Sequence, residues 1–176
     1  MISLIEKQII TNHCSDFLNE VALPIFKNLP NRTNSFEKVK VRHKPTDFIG
    51  ECFNEAFADK GANIYNRGVF ACTGYTINSD GCYYVFPVNG YRFLYSKEIT
   101  NIHEHVISVL TQINEHESKS LVRDLLRLSY IHENLISGIQ AECEIVFYNI
   151  PFFYAIRKSE VTNYERFLEE LKSGSC

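Results

Sequence analysis

The sequence has no C-x-x-C pair, no glycine-rich phosphate loop, no basic excess and no long apolar run, and each absence removes a class of function. Its six cysteines, Cys14, Cys52, Cys72, Cys82, Cys143 and Cys176, are spread along the chain. Without close pairs they give a structural zinc site no support, and free thiols in a reducing cytosol are the expected state. The eight glycines are scattered, so neither a Walker loop nor a dinucleotide-binding glycine fingerprint is present. A formal net charge of −3 argues against nucleic acid as the partner. The opening stretch MISLIEKQII has no basic segment leading into a long apolar one. No secretory leader or membrane anchor is therefore expected, and the expected location is the cytoplasm.

What is there suits one packed domain. Of 176 residues, 45% are hydrophobic and 13% aromatic, enough for a single core. Helical spacing of Ile9, Phe17, Val21, Ile25 and Phe26 predicts a helical N-terminal lobe over residues 1–34, interrupted near Pro24 and closed by the polar turn NLPNRTN. Ser35 to His43 alternates as a strand does, and Asp47 can cap a helix running to about Lys60, with Gly61 as its stop. RGVFACTG, CYYVFPV and YRFLYS read as strands separated by Gly and Asn turns.

Two amphipathic helices are then expected, over 99–116 and 118–136. Their core stripes are Ile102, Val106, Val109 and Leu110, then Leu121, Leu125, Leu128 and Ile131, with Gly138 closing the second. CEIVFY and FFYAIR form two late strands around Asn149-Ile150-Pro151, and a helix over 161–172 ends the chain within the segment 158–176. Helices come first and later interrupt the strands, which argues for an α+β fold with a mainly antiparallel sheet rather than a doubly wound one.

The segment Ala141 to Ile156, AECEIVFYNIPFFYAI, carries most information. It has two glutamates spaced E-x-E (Glu142 and Glu144), the strand Ile145-Val146-Phe147, a turn with proline, and a return strand from Phe152 to Ile156. On an extended chain, side chains two residues apart point to one side. Earlier, KVRHKPTD offers Arg42 and His43 at a strand end, and NRGVFACTGY offers Thr73 after a hydrophobic strand.

In chain order, Arg42 or His43, then the hydroxyl strand at Thr73, then the glutamate pair, the three patterns resemble the ADP-ribosyltransferases over residues 39–156. The resemblance implies a split, mainly antiparallel sheet, here with an N-terminal helical lobe and a helical insertion. It implies NAD as substrate, with Arg42 or His43 toward its phosphates and Thr73 shaping the nicotinamide ribose pocket. Glu144 would stabilise positive charge on the ribose, and Glu142 would steer a protein acceptor at arginine. The sequence departs from the family pattern where Cys72 and Gly74 replace serines. Tyr75, directly after the hydroxyl strand, is a candidate to stack on nicotinamide. RGVFACTG with YYVFPVNGYRFLYS also resembles small uncharacterised proteins of tailed phages. That sets a second expectation: a non-catalytic protein that captures a host factor through the helical segment 99–136 or the N-terminal lobe. His103-Glu104-His105 makes a poor metal pair, since alternate residues on a helix point apart, and no metal is expected. Cys72 is the one thiol to test as a nucleophile.

Overall fold

The computed structural model describes residues 1–41, 47–61, 63–73, 81–111 and 118–174. Helix α1 (Leu4–His13) opens on a capping box: the Ser3 hydroxyl accepts from the Glu6 N–H, and the Glu6 carboxylate accepts from the Ser3 N–H. Helix α2 (Ser15–Glu20) follows directly. The N-terminal lobe, expected to be helical with an interruption near Pro24 and a closing turn over 28–34, also supplies strand β1 (Phe26–Asn28), which lies inside the sheet. Short strands such as this one leave too few residues for an alternation to show against a helical period.

Strand β2 (Phe36–Lys40) leads to α3 (Phe48–Ala56), whose Asp47 cap accepts from the Gly50 N–H at 2.7 Å. A short helix α4 (Ile64–Arg67) precedes β3 (Val69–Cys72), β4 (Cys82–Pro87) and β5 (Arg92–Tyr95). Then come α5 (Ile102–Leu110), α6 (Ser118–Ser129), α7 (Leu135–Gln140), β6 (Glu144–Tyr148), β7 (Phe152–Arg157) and α8 (Tyr164–Ser173). The fold is α+β, and all seven strands pair antiparallel in the order β2-β7-β4-β1-β3-β6-β5.

The sheet is continuous but nearly divided. Strand β1 pairs with β4 over three residues and with β3 only at Phe26, which faces Tyr84 on one side and Cys72 on the other. The Lys27 ammonium adds one stitch by donating to the Phe70 carbonyl at 2.9 Å. Consecutive strands β6 and β7 therefore sit in different halves of the sheet. One core cluster gathers α1, α2, α7 and α8 on the sheet around Phe17, Phe86, Phe147 and Leu171. The other packs α3, α4, α5 and α6 on the opposite face of β3, β6 and β5, around Phe53, Leu94, Val146 and Tyr130.

The helix expected over 118–136 is two helices. Between them Ile131 exchanges both backbone hydrogen bonds with Tyr95, at 2.9 and 2.7 Å, and Asn134 caps α7. A sheet partner and a cap together outcompete continuation of the helix. The buried stripe of α6 is Ser118, Val122 and Leu126; Leu121 and Leu128, expected inside, are exposed. The helix carries two overlapping apolar faces, and the sequence alone does not say which one meets the sheet. Gly138, read as a stop, lies inside α7, where a Cβ would come within 2.9 Å of the Tyr95 ring.

Gly68 joins α4 to β3 at a closer approach still. A Cβ there would lie 2.6 Å from both the Ile64 carbonyl and the Val146 side chain. Its φ of −86° is open to any residue, so the glycine is required by contact and not by conformation. Gly68→Ala is expected to destabilise the fold by about 1–3 kcal/mol through overpacking, read as a lower urea midpoint with an unchanged slope.

Candidate functional site

The register between β3 and β6 brings two of the sequence patterns together. Val69 faces Phe147, Phe70 faces Val146, Ala71 faces Ile145, and Cys72 faces Glu144. Paired residues share a sheet face, and that face alternates along the ladder. Phe70, Val146 and Tyr148 pack among α3 to α6, so Cys72 and Glu144, in the same phase, point to that side.

Glu144 is half-buried, and its Oε2 accepts from the Ile102 N–H at 2.9 Å. Ile102 is the first residue of α5, and the Asn101 side chain accepts from the next two N–H groups at 3.0 and 3.2 Å. A carboxylate and an amide oxygen thus serve three of the four N–H groups that a helix leaves unpaired at its start, and the positive end of the helix favours the negative charge. The hydroxyls of Tyr65 and Tyr130 share this neighbourhood. Burial, then Asp47, then Glu144 push the Tyr65 phenol up to about 12. Burial first and Glu144 second push the Tyr130 phenol well above its ordinary value. The Tyr130 hydroxyl has no hydrogen-bond partner among the described residues.

The remaining candidates fall differently. Glu142, expected beside Glu144 on an extended chain, precedes β6 in a turn with φ 53°, where its N–H donates to the Ile139 carbonyl. The positive φ breaks the two-residue alternation, so the pair does not share one strand face. Thr73 follows β3, and its hydroxyl donates to the Ile139 carbonyl at 2.8 Å, at the end of α7. The residue across the ladder from Glu144 is therefore Cys72 and not Thr73. Arg42, His43 and Tyr75 lie outside the described residues; Val41, just before the basic pair, lines a pocket of about 210 Å³ with Gly68, Val69 and Phe153. Among the described residues, no group of three or more His, Cys, Asp or Glu side chains is placed to hold a metal ion, and no helix is long and apolar enough to cross a membrane.

Tyr65 and Tyr130 were not singled out from the sequence. They sit among many tyrosines, and only the packing of α4 and α6 against β6 separates them from ordinary core residues. Their chemistry predicts an alkaline limit. A phenol whose folded pKa is raised contributes stability that is complete below the unfolded value near 10 and is lost as pH climbs toward the folded value. Stability is expected to fall from about pH 10 upward, as Tyr65, Tyr130 and Tyr164, all raised chiefly by burial, become costly to keep neutral. Urea midpoints across that range, with phenolate absorbance recorded alongside, check it.

The chain matches no protein-family model, no curated protein and no solved structure.

Proposed function

We propose that this chain cleaves NAD at the bond between nicotinamide and ribose and transfers ADP-ribose to a protein target, with arginine as the acceptor. The observation that carries the reading is the Cys72–Glu144 pairing, which sets the end of the hydroxyl-type strand directly against the E-x-E strand. The near-division of the sheet at Phe26 suits the split sheet of the ADP-ribosyltransferases.

As the carbon–nitrogen bond breaks, its electron pair leaves with nicotinamide and positive charge builds on the ribose. The Glu144 carboxylate stabilises that charge. A carboxylate accepts several hydrogen bonds, so the Ile102 N–H orients it without exhausting it. The acceptor nitrogen then bonds to the ribose carbon and releases a proton to solvent. Glu142, exposed at the turn, orients that acceptor. Arg42 or His43 holds the phosphates, Thr73 braces the wall of the ribose pocket through α7, and Tyr75 stacks on nicotinamide.

The test is incubation of the purified protein with a cell lysate and NAD labelled in its ADP-ribose portion. Nicotinamide release with label in protein is expected. Release without label would reassign the site to NAD hydrolysis. No release from folded protein would sink the reading.

A second reading has its own observation. Leu121 and Leu128 are exposed on α6, Leu128 at 84%, and Ile107 is exposed on α5. An apolar helical face without a partner suits a protein that captures a host factor. Capture that is independent of NAD and lost in a Leu121→Glu, Leu128→Glu variant would favour it.

A further inference from the structure

Away from Glu144, at the other end of β6, a pocket of about 210 Å³ is lined by Lys60, Arg67, Arg92, Asn63, Tyr148 and Asn149, with Gly61 and Ile64. The three cations come from different elements: the turn after α3, the end of α4, and the start of β5. Among the described residues, the ion pair of Lys60 is with its neighbour Asp59, at 3.7 Å, and that carboxylate is largely exposed. Neither Arg67 nor Arg92 has an acidic partner there. The Arg92 guanidinium lies 5.9 Å from the centre of the Tyr148 ring, which is buried and so gives that side chain a fixed surface to rest on.

Gathering three positive side chains around one concavity is unfavourable unless an anion offsets their repulsion. Guanidinium groups present planar forks that match phosphate oxygens, and the side-chain amide of Asn63 adds a neutral donor at the rim, while that of Asn149 already donates to the Gly90 carbonyl at 3.3 Å and has its second N–H to offer. The volume is below that of a typical site for a whole drug-sized ligand, so it suits a charged group rather than an entire dinucleotide. Along β6, Tyr148 lies four residues from Glu144, roughly 13 Å at strand spacing, and the buried Val146 intervenes on the same face.

We propose that this pocket binds the phosphate or pyrophosphate group of a small molecule, at a site separate from the one around Glu144. The proposal does not depend on NAD cleavage.

The experiment is a titration of isotope-labelled full-length protein with inorganic pyrophosphate, followed by amide NMR, with sodium chloride at matched ionic strength as control. Expected are saturable shifts confined to residues 60–67, 91–93 and 147–149. An Arg67→Gln, Arg92→Gln variant should bind at least about tenfold more weakly, the loss of two charge-assisted contacts. Both side chains are exposed, so the variant should melt with the wild type. ADP competing for the same shifts would identify a phosphorylated small molecule as the source, and pyrophosphate alone would identify a free anion. Shifts reproduced by chloride, shifts elsewhere, or unchanged affinity in the folded variant would overturn the site. So would a single-stranded oligonucleotide that binds the same residues more tightly than either probe.

Discussion

Glu144→Gln is expected to slow nicotinamide release by at least about a hundredfold and to leave the fold nearly as stable as the wild type. Glutamine keeps the length and an acceptor oxygen, so the Ile102 N–H at the start of α5 retains its partner. What it loses is the negative charge that would face the ribose as positive charge develops. Alanine loses both. Glu144→Ala should therefore be as inactive and, in addition, less stable by about 1–3 kcal/mol, the cost of a polar group left without its partner. The two variants separate chemistry from architecture. A glutamine variant that turns over at the wild-type rate would leave Glu144 as a helix cap and nothing more. One that unfolds with the alanine variant would show that the charge itself holds α5 in place. Urea denaturation beside the rate measurement distinguishes these outcomes.

The late strands were legible because each run of apolar residues is bounded by a turn. Cys82–Pro87, Glu144–Tyr148 and Phe152–Arg157 fall where the sequence puts them, and the expected antiparallel α+β class holds. Strand β1 was not legible, since three residues after Pro24 carry no period, yet it joins the two halves of the sheet. The break at Ile131 was hidden for a related reason: Leu128, Ile131 and Leu135 keep helical spacing, and the partner that interrupts them, Tyr95, is distant in sequence. At the site, the E-x-E spacing located Glu144 but not its partner. Whether Cys72 or Thr73 faces it depends on register, a long-range property that a strand cannot reveal by itself. The turn at Glu142 was equally invisible, because a positive φ at a glutamate has no signature in composition.

Phe17→Ala should be the most destabilising single substitution of those considered, at about 3–5 kcal/mol. Phe17 on α2 is fully buried. Its ring meets Phe86, Tyr91 and Phe147 edge-on, with centroids 6.1, 5.9 and 5.9 Å away. Phe86 belongs to β4 and Phe147 to β6, so this one side chain touches both halves of a sheet whose backbone pairing across the seam is at Phe26, with the Lys27–Phe70 hydrogen bond beside it. Removing it costs the transfer energy of an aromatic ring, the edge-to-face contacts and a cavity at the seam. The expected loss is a large share of the roughly 5–15 kcal/mol that holds a typical domain together. Native-state hydrogen exchange gives the sharper measurement. If the ring couples the halves, amides of β4 and β7 and amides of β3 and β6 should lose protection together. Phe53→Ala, which empties the opposite core around Tyr65, Phe70 and Tyr130, should weaken β3 and β6 more than β4 and β7. Equal loss across all four strands in both variants would mean that the sheet opens as one unit and that β1, despite its single residue of pairing with β3, is a sufficient joint.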